Sequence, residues 1–250
     1  MTARLELDVL GAGPAYTDRL GAVGASYLVR AGSTAVVLDL GQGAFPRLAA
    51  TFEPSAIDAI LVSHLHPDHF IDLVALRHYL RWQFRPPRRV RVIAADGLER
   101  RLDALHDEPG FTAATLDVEP IEPELMLGAL RIETVRVTHT ADSHAFRVSA
   151  TGGSGLVYSG DCGRATDLEP LIRPGDVLLS EVSFGPGPVP YDAVHLDGPA
   201  VGQLATRSGA SRVLLTHLQM GFDPAATLAA VGAHYDGPIE FVEPGARFLI

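Results

Sequence analysis

Three histidines and an aspartate crowd one short stretch, Ser63-His64-Leu65-His66-Pro67-Asp68-His69. In an extended or tightly turned backbone His64 and His66 point the same way, because side chains alternate with period two. Asp68 and His69 can then turn toward a second point close by. Imidazole nitrogen and carboxylate oxygen suit zinc, manganese or iron, so the local chemistry reads as two adjacent metal positions. A histidine standing alone is more often a core or surface residue. His78, His106 and His234 stand alone on helical segments and are read as structural. The clustered ones are not.

The elements that must position this cluster can be followed along the chain. Residues 57–62 form an apolar run that reads as the strand delivering it, and residues 70–84 carry apolar positions at helical spacing. Upstream, residues 5–10 alternate and end in Gly11-Ala12-Gly13-Pro14. The Gly-x-Gly there is a weak dinucleotide signal, because Pro14 follows and no third glycine opens a helix. Residues 26–30 and 35–40 read as a hairpin over Gly32-Ser33, and the second strand runs into Asp39-Leu40-Gly41-Gln42-Gly43. Further strands are expected at 90–95, 115–118, 130–137, 145–149, 155–159, 177–180, 212–215 and 239–242, and helices at 44–52, 98–106, 199–207 and 224–235. Arg77, Arg81 and Arg85 share one helix face. With Arg88, Arg89 and Arg91 they read either as a solvated basic face or as a row attracting an anionic substrate. The Gly- and Pro-rich stretch 184–190 excludes regular structure and is expected to overhang the site.

Composition narrows the function. A formal charge of −10 opposes nonspecific attraction to nucleic acid or anionic membrane. Every basic residue is arginine, so lysine Schiff-base and phosphate-loop lysine chemistry are excluded. A single cysteine, Cys162, cannot form an internal disulfide and is read as a small buried residue. The first residues carry charges where a signal peptide would be apolar, and no run approaches about 18 apolar residues. A soluble cytoplasmic protein without a membrane segment is the expectation.

The His64-Leu65-His66-Pro67-Asp68-His69 run resembles the His-x-His-x-Asp-His signature of the metallo-β-lactamase fold superfamily. Asp39 with its glycine-rich turn resembles that superfamily's first motif, Val137-Thr138-His139 the third, Gly160-Asp161-Cys162-Gly163 the fourth and Thr216-His217-Leu218 the fifth. His195-Leu196-Asp197-Gly198 resembles the histidine loop of the phosphodiesterase branch, exemplified by ribonuclease Z. The resemblance implies an α+β fold, a four-layer αββα sandwich, with residues 1–250 as one domain. Sequence periodicity by itself supports only mixed α and β.

Carried over to this chain, the resemblance assigns His64, His66 and His139 to one divalent metal ion and Asp68, His69 and His217 to a second, with Asp161 between them. Zinc is the first assignment, and manganese or iron would accept the same ligands. Asp39 would support the loop, with an equal reading as a turn former. Asp68 would orient a bridging hydroxide besides binding metal, and His195 would contact the scissile phosphate and protonate the leaving group. His144 would line the pocket, with a structural role carrying the same weight.

Two divalent cations less two carboxylates leave a cationic centre that prefers a small anionic substrate. Hydrolysis of a small phosphodiester such as a cyclic nucleotide, by attack of the bridging hydroxide, is therefore the leading expectation. A ribonuclease Z-type tRNA 3′ endonuclease is the alternative, disfavoured because no long Gly- and Lys-rich insertion is present to grip RNA. Hydrolysis of a carboxylic ester, thioester, lactone or β-lactam uses the same attacking species. The residues do not separate it from phosphodiester cleavage except through His195. A homodimer is compatible with the sequence, which does not decide oligomeric state.

Overall fold

The computed structural model describes residues 4–150 and 153–250. Met1, Thr2 and Ala3, the first residues of the stretch on which the leader reading rests, lie outside the described residues.

Two seven-stranded mixed sheets face one another. The first contains β1 (Glu6–Gly11), β2 (Ser26–Ala31), β3 (Thr34–Leu38), β4 (Ala59–Leu61), β5 (Val90–Ala94), β6 (Leu116–Pro120) and β14 (Arg247–Leu249), in the order β14-β1-β2-β3-β4-β5-β6. The second contains β7 (Glu124–Leu127), β8 (Leu130–Arg136), β9 (His144–Ala150), β10 (Gly155–Tyr158), β11 (Val177–Glu181), β12 (Arg212–Thr216) and β13 (Ile239–Phe241), in the order β13-β12-β11-β10-β9-β8-β7.

Period-two alternation sends one set of side chains inward and the other outward. In β3 and β4 the inner set, Val36, Leu38, Ala59 and Leu61, meets Phe146, Val148, Tyr158 and Leu179 of the opposite sheet. The outer set, Ala35, Val37 and Ile60, lies under Leu48 of α1 (Ala44–Thr51), Leu73, Leu76 and Leu80 of α3 (Leu73–Trp82) and Leu98 and Leu102 of α4 (Leu98–His106). On the far side Val157, Leu178, Val213 and Leu215 pack under α5 (Gly198–Ser208) and α6 (Pro224–Gly232), through Val201, Leu204 and Val231. Strands covered on both faces read as unbroken apolar runs, as 57–62 does. The result is the expected αββα sandwich.

What positions the site is the run of parallel strands. β3, β4, β5 and β6 are parallel neighbours, as are β10, β11, β12 and β13. Parallel neighbours need crossover connections, here mostly through the outer helices, so their carboxyl ends point one way. Asp39 follows β3, Ser63 and His64 follow β4, Asp161 follows β10, Glu181 ends β11 and His217 follows β12. Residues remote in sequence thereby gather along one edge, the place where open α/β sheets bind ligands.

Three local expectations need correction. The helix expected over 70–84 begins earlier and is interrupted: α2 spans Pro67–Phe70 and α3 Leu73–Trp82. Pro67 sits at the first turn, where its fixed φ suits a helix start and its missing N–H costs nothing. Asp68 and His69 therefore ride on a helical turn, not on extended backbone. Two short strands, β7 and β14, escaped the sequence reading, and both lie at sheet edges.

The arginine row is divided: Arg85 and Arg88 are exposed, whereas Arg77, Arg89 and Arg91 are engaged within the fold or in ion pairs. Arg77 is buried, donates from Nε to the Phe111 carbonyl at 2.8 Å and stacks 3.9 Å above the Phe111 ring. Arg89 pairs with Asp117, and Arg91 with Glu119 at 2.7 Å. His78 and His106 lie 5.5 and 4.1 Å from the same Phe111 ring, in the structural role read for them.

Candidate metal centre

The backbone first fixes where each donor stands. Asp39 and His217 both adopt left-handed φ, 56° and 58°, which is uncommon outside glycine and concentrates at functional sites. Gly41 is required beside Asp39: a Cβ there would lie 2.0 Å from the Asp68 carbonyl oxygen. The His64–His69 loop is pinned at several carbonyls. His144 N–H donates to Ser63 O at 2.9 Å, Arg101 Nη1 to Leu65 O at 2.6 Å and Leu40 N–H to His69 O at 2.7 Å.

The side chains then converge. His64, His66, His139 and Asp161 form one group able to hold a metal ion, and Asp68, His69 and His217 form another, the ligand atoms within each lying within 4.8 Å of one another. In the first, His139 Nε2 is 3.1 Å from His66 Nδ1, and Asp161 Oδ2 is 3.6 Å from His139 Nε2 and 3.7 Å from His64 Nε2. In the second, Asp68 Oδ2 is 3.5 Å from His69 Nε2 and 3.3 Å from His217 Nε2. The other oxygen of Asp161, Oδ1, stands 3.3 Å from His69 Nε2 and 3.5 Å from His217 Nε2. One carboxylate thus presents one oxygen to each group.

These spacings can be tested against a cation. Ligands about 2.0–2.1 Å from a tetrahedral zinc stand roughly 3.3–3.4 Å apart, which is the spacing seen here. Among the described residues five buried side-chain atoms lack a hydrogen-bond partner, and three of them, His64 Nε2, His69 Nε2 and Asp161 Oδ1, belong to this cluster. Buried polar atoms are ordinarily satisfied, so these three fit donors aimed at a cation.

Electrostatics agree. Burial pushes the His64 imidazole well below its ordinary value and lowers His66 and His139, so all three rings are neutral near pH 7 with lone pairs to offer. Burial raises Asp161, but the surrounding His217, His69 and His64 outweigh it and hold the carboxyl well below the usual range. His69 goes the other way: burial lowers it, yet Asp161 and Asp39 hold it well above. Its Nδ1 donates to Asp39 Oδ2 at 2.7 Å, and a cation facing Nε2 would take the place of the second proton.

A supporting layer surrounds the donors. Asp39 also accepts from Ser63 N at 2.6 Å, Ser63 Oγ at 2.7 Å and Tyr158 Oη at 2.7 Å. It is therefore more than a turn former. His139 Nδ1 donates to the Val194 carbonyl at 2.9 Å. His195 lies at the edge of the centre, with Nδ1 4.0 Å from Asp161 Oδ2, and joins Asp161 and His217 as a third group able to hold a metal ion. Its Nδ1 donates to Glu181 Oε1 at 2.9 Å, and although burial lowers His195, Glu181 raises it overall.

Two residues depart from expectation. His144 is not gathered with the donors: its Nδ1 faces the Asp142 carbonyl at 3.0 Å, and its backbone clamps Ser63. Its pocket-lining role gives way to the structural one. Glu181, passed over in the sequence, is a central anchor, buried to 1% exposure and accepting from Cys162 N, Ser183 N, Ser183 Oγ and His195 Nδ1. A glutamate closing the apolar run Val177–Glu181, in a strand covered on both faces, was the available signal. Cys162 is buried, as read, with its Sγ against the Arg164 carbonyl. The 184–190 stretch folds back on the His195 segment, Phe184 N donating to Leu196 O at 3.0 Å, and the Phe184 ring lies 6.2 Å from that of His195.

Comparison with known proteins places this geometry. Residues 35–218 match the family model described as "Beta-lactamase superfamily domain". The chain belongs to that superfamily. Among its members, the uncharacterized protein ML1173 of Mycobacterium leprae (strain TN) is 32% identical over 236 residues, 90% of this chain and 81% of that one. Ribonuclease Z of Mycobacterium bovis (strain BCG / Pasteur 1173P2) is 27% identical over 267 residues, covering 94% of this chain and 95% of its own length. The crystal structure of the metallo-beta-lactamase fold protein YhfI from Bacillus subtilis superposes with a TM-score of 0.88 at 20% identity, over 99% of this chain and 100% of that one, a likeness of fold. The likeness of this beta-lactamase superfamily chain to a solved structure therefore extends over nearly the whole fold and not only over the motifs.

Proposed function

We propose that this metallo-hydrolase of the β-lactamase superfamily is a dinuclear phosphodiesterase acting on a small phosphodiester such as a cyclic nucleotide. The observation that carries the reading is Asp161, whose two oxygens face two separate donor groups. His64, His66 and His139 would hold one ion and Asp68, His69 and His217 the other, with zinc the first candidate and manganese or iron compatible with the same donors. A pair of divalent ions supplies water ionised near neutral pH and positive charge for the nonbridging phosphoryl oxygens.

The chain's own residues do the rest. Asp68, its carboxyl raised by burial but lowered overall by the neighbouring His217 and His69, accepts a hydrogen bond from the attacking water and orients it. His195, with Nδ1 engaged by Glu181, presents Nε2 and gives a proton from it to the departing alkoxide. Although burial lowers His195, Glu181 raises it above its ordinary value, which favours the protonated donor. Under this reading residues 1–250 are one hydrolase domain, the partner is a small anionic substrate and the compartment is the cytoplasm. Among the described residues no helix is long and apolar enough to cross a membrane.

Similarity to ribonuclease Z favours a second reading, cleavage of a tRNA precursor. The charge of −10 opposes it, and so does the engagement of Arg77, Arg89 and Arg91 inside the fold or in ion pairs. Assaying bis-p-nitrophenyl phosphate, p-nitrophenyl acetate, 3′,5′-cyclic nucleotides and a tRNA precursor with wild type and His195→Ala tests both. Phosphodiester turnover that falls in the variant while ester turnover is spared supports the proposal. Turnover of the ester or the tRNA precursor alone would defeat it.

A further inference from the structure

We propose that Ser183 is a positioning residue that ties His217 to His195 through the single carboxylate of Glu181, so that the second metal position and the proton donor share one anchor. The inference rests on the dinuclear reading above. Ser183 is fully buried and Glu181 is 1% exposed. Ser183 Oγ lies 2.6 Å from Glu181 Oε2, 3.2 Å from His217 Nδ1 and 3.2 Å from His195 Nδ1.

Hydrogen-bond chemistry fixes the directions. An ionised carboxylate only accepts, so the hydroxyl proton of Ser183 goes to Glu181 Oε2, which also takes the Ser183 N–H at 2.9 Å. The lone pairs of the Ser183 oxygen then face the ring nitrogens, and His217 donates from Nδ1. Its Nε2, which faces Asp68 Oδ2 at 3.3 Å and Asp161 Oδ1 at 3.5 Å, is left with a lone pair for a cation. On the other limb Glu181 Oε1 takes the Nδ1 proton of His195 at 2.9 Å, so Nε2 is the nitrogen free to serve the substrate. The two rings lie 6.1 Å apart and only 20° from parallel, as expected of planes hung from one support.

Among the described residues the histidines of the first metal position make no hydrogen bond to Ser183 or Glu181. His139 is held by the Val194 carbonyl and His64 by Ser63, and even His69, in the second group, hangs from Asp39. Removing the Ser183 hydroxyl therefore disturbs one ligand of one ion, together with the anchor of the proton donor. Partners of metal-bound imidazoles typically change metal affinity 10–100-fold when lost.

The test compares wild type, Ser183→Ala and Ser183→Thr. Stepwise zinc affinities are read by competition with a chromophoric chelator, and kcat is read on bis-p-nitrophenyl phosphate and on a 3′,5′-cyclic nucleotide. Nitrophenolate departs without a proton and an alkoxide does not. In Ser183→Ala one of the two stepwise affinities should fall roughly 10–100-fold with the other unchanged. The same variant should lose more kcat on the cyclic nucleotide than on the aryl diester, and Ser183→Thr should restore both. A variant that moves only one of the two readouts, or neither, overturns the coupling, as does failure of threonine to rescue. Should Ser183→Ala not fold, Ser183→Cys fills the site with a weaker donor and answers to the same criteria. If wild type turns over neither diester, the phosphodiesterase reading falls, and the zinc titration alone decides for or against Ser183.

Discussion

Asp161 and Ser183 show how unevenly single residues reveal themselves. Asp161 follows an apolar strand within Gly160-Asp161-Cys162-Gly163 and could be singled out from the sequence, since a carboxylate can serve two points at once. Asp161→Asn removes the charge shared by both donor groups, and activity should fall by about 10²–10³ or more, with loss of bound metal measured alongside. Ser183 left no such trace for a physical reason: its partners His195 and His217 lie 12 and 34 residues away and meet it only after the sheet has formed. Arg101 was equally silent. Its Nη1 reaches the Leu65 carbonyl between His64 and His66, so Arg101→Met should loosen the loop and weaken metal retention about 10-fold with little change in melting temperature.

At the scale of elements, the buried parallel strands were legible because burial on both faces writes a continuous apolar run. The edges were not. In β7, Glu124 and Met126 are exposed, and in β14 Arg247 and Leu249 are exposed, so neither strand carries an apolar signature. The helix start at Pro67 was missed because its N-cap is His66, which makes no side-chain cap hydrogen bond. The loops carry their own constraint, since Gly41 lets the β3 turn pass against the Asp68 carbonyl. Gly41→Ala would force those backbones apart and should destabilise the fold by about 1–3 kcal/mol, seen as a lower urea midpoint. Metal addition should recover part of that loss, because a ligand of the native state stabilises it by mass action.

Over the whole molecule, part of the acid sensitivity should come from the arginines gathered around Glu133. Hydrogen bonds from Arg173, at 2.5 and 2.6 Å, together with Arg147 and Arg131, hold Glu133 at about 2, against an ordinary value of 4.5. A depressed carboxyl contributes stability that is fully present above its ordinary value and is lost as the pH falls through about 2. Urea midpoints of wild type and Glu133→Gln should therefore differ at neutral pH and converge as the pH approaches 2. Equal separation at every pH would show that the charge of Glu133 is not what matters. The sandwich itself was foreseeable only through the motif resemblance, because periodicity distinguishes strand from helix and says nothing about which sheet edge a loop will join.

The central claim is that two cations sit side by side on donors joined by Asp161. Metal analysis of the purified protein, by mass spectrometry on wild type, Asp161→Ala and His195→Ala, tests it most directly. Two ions per chain in wild type and in His195→Ala, falling to one or fewer in Asp161→Ala, is the predicted result. A single ion per chain in wild type under saturating zinc, or an Asp161→Ala variant that keeps two, would contradict the account.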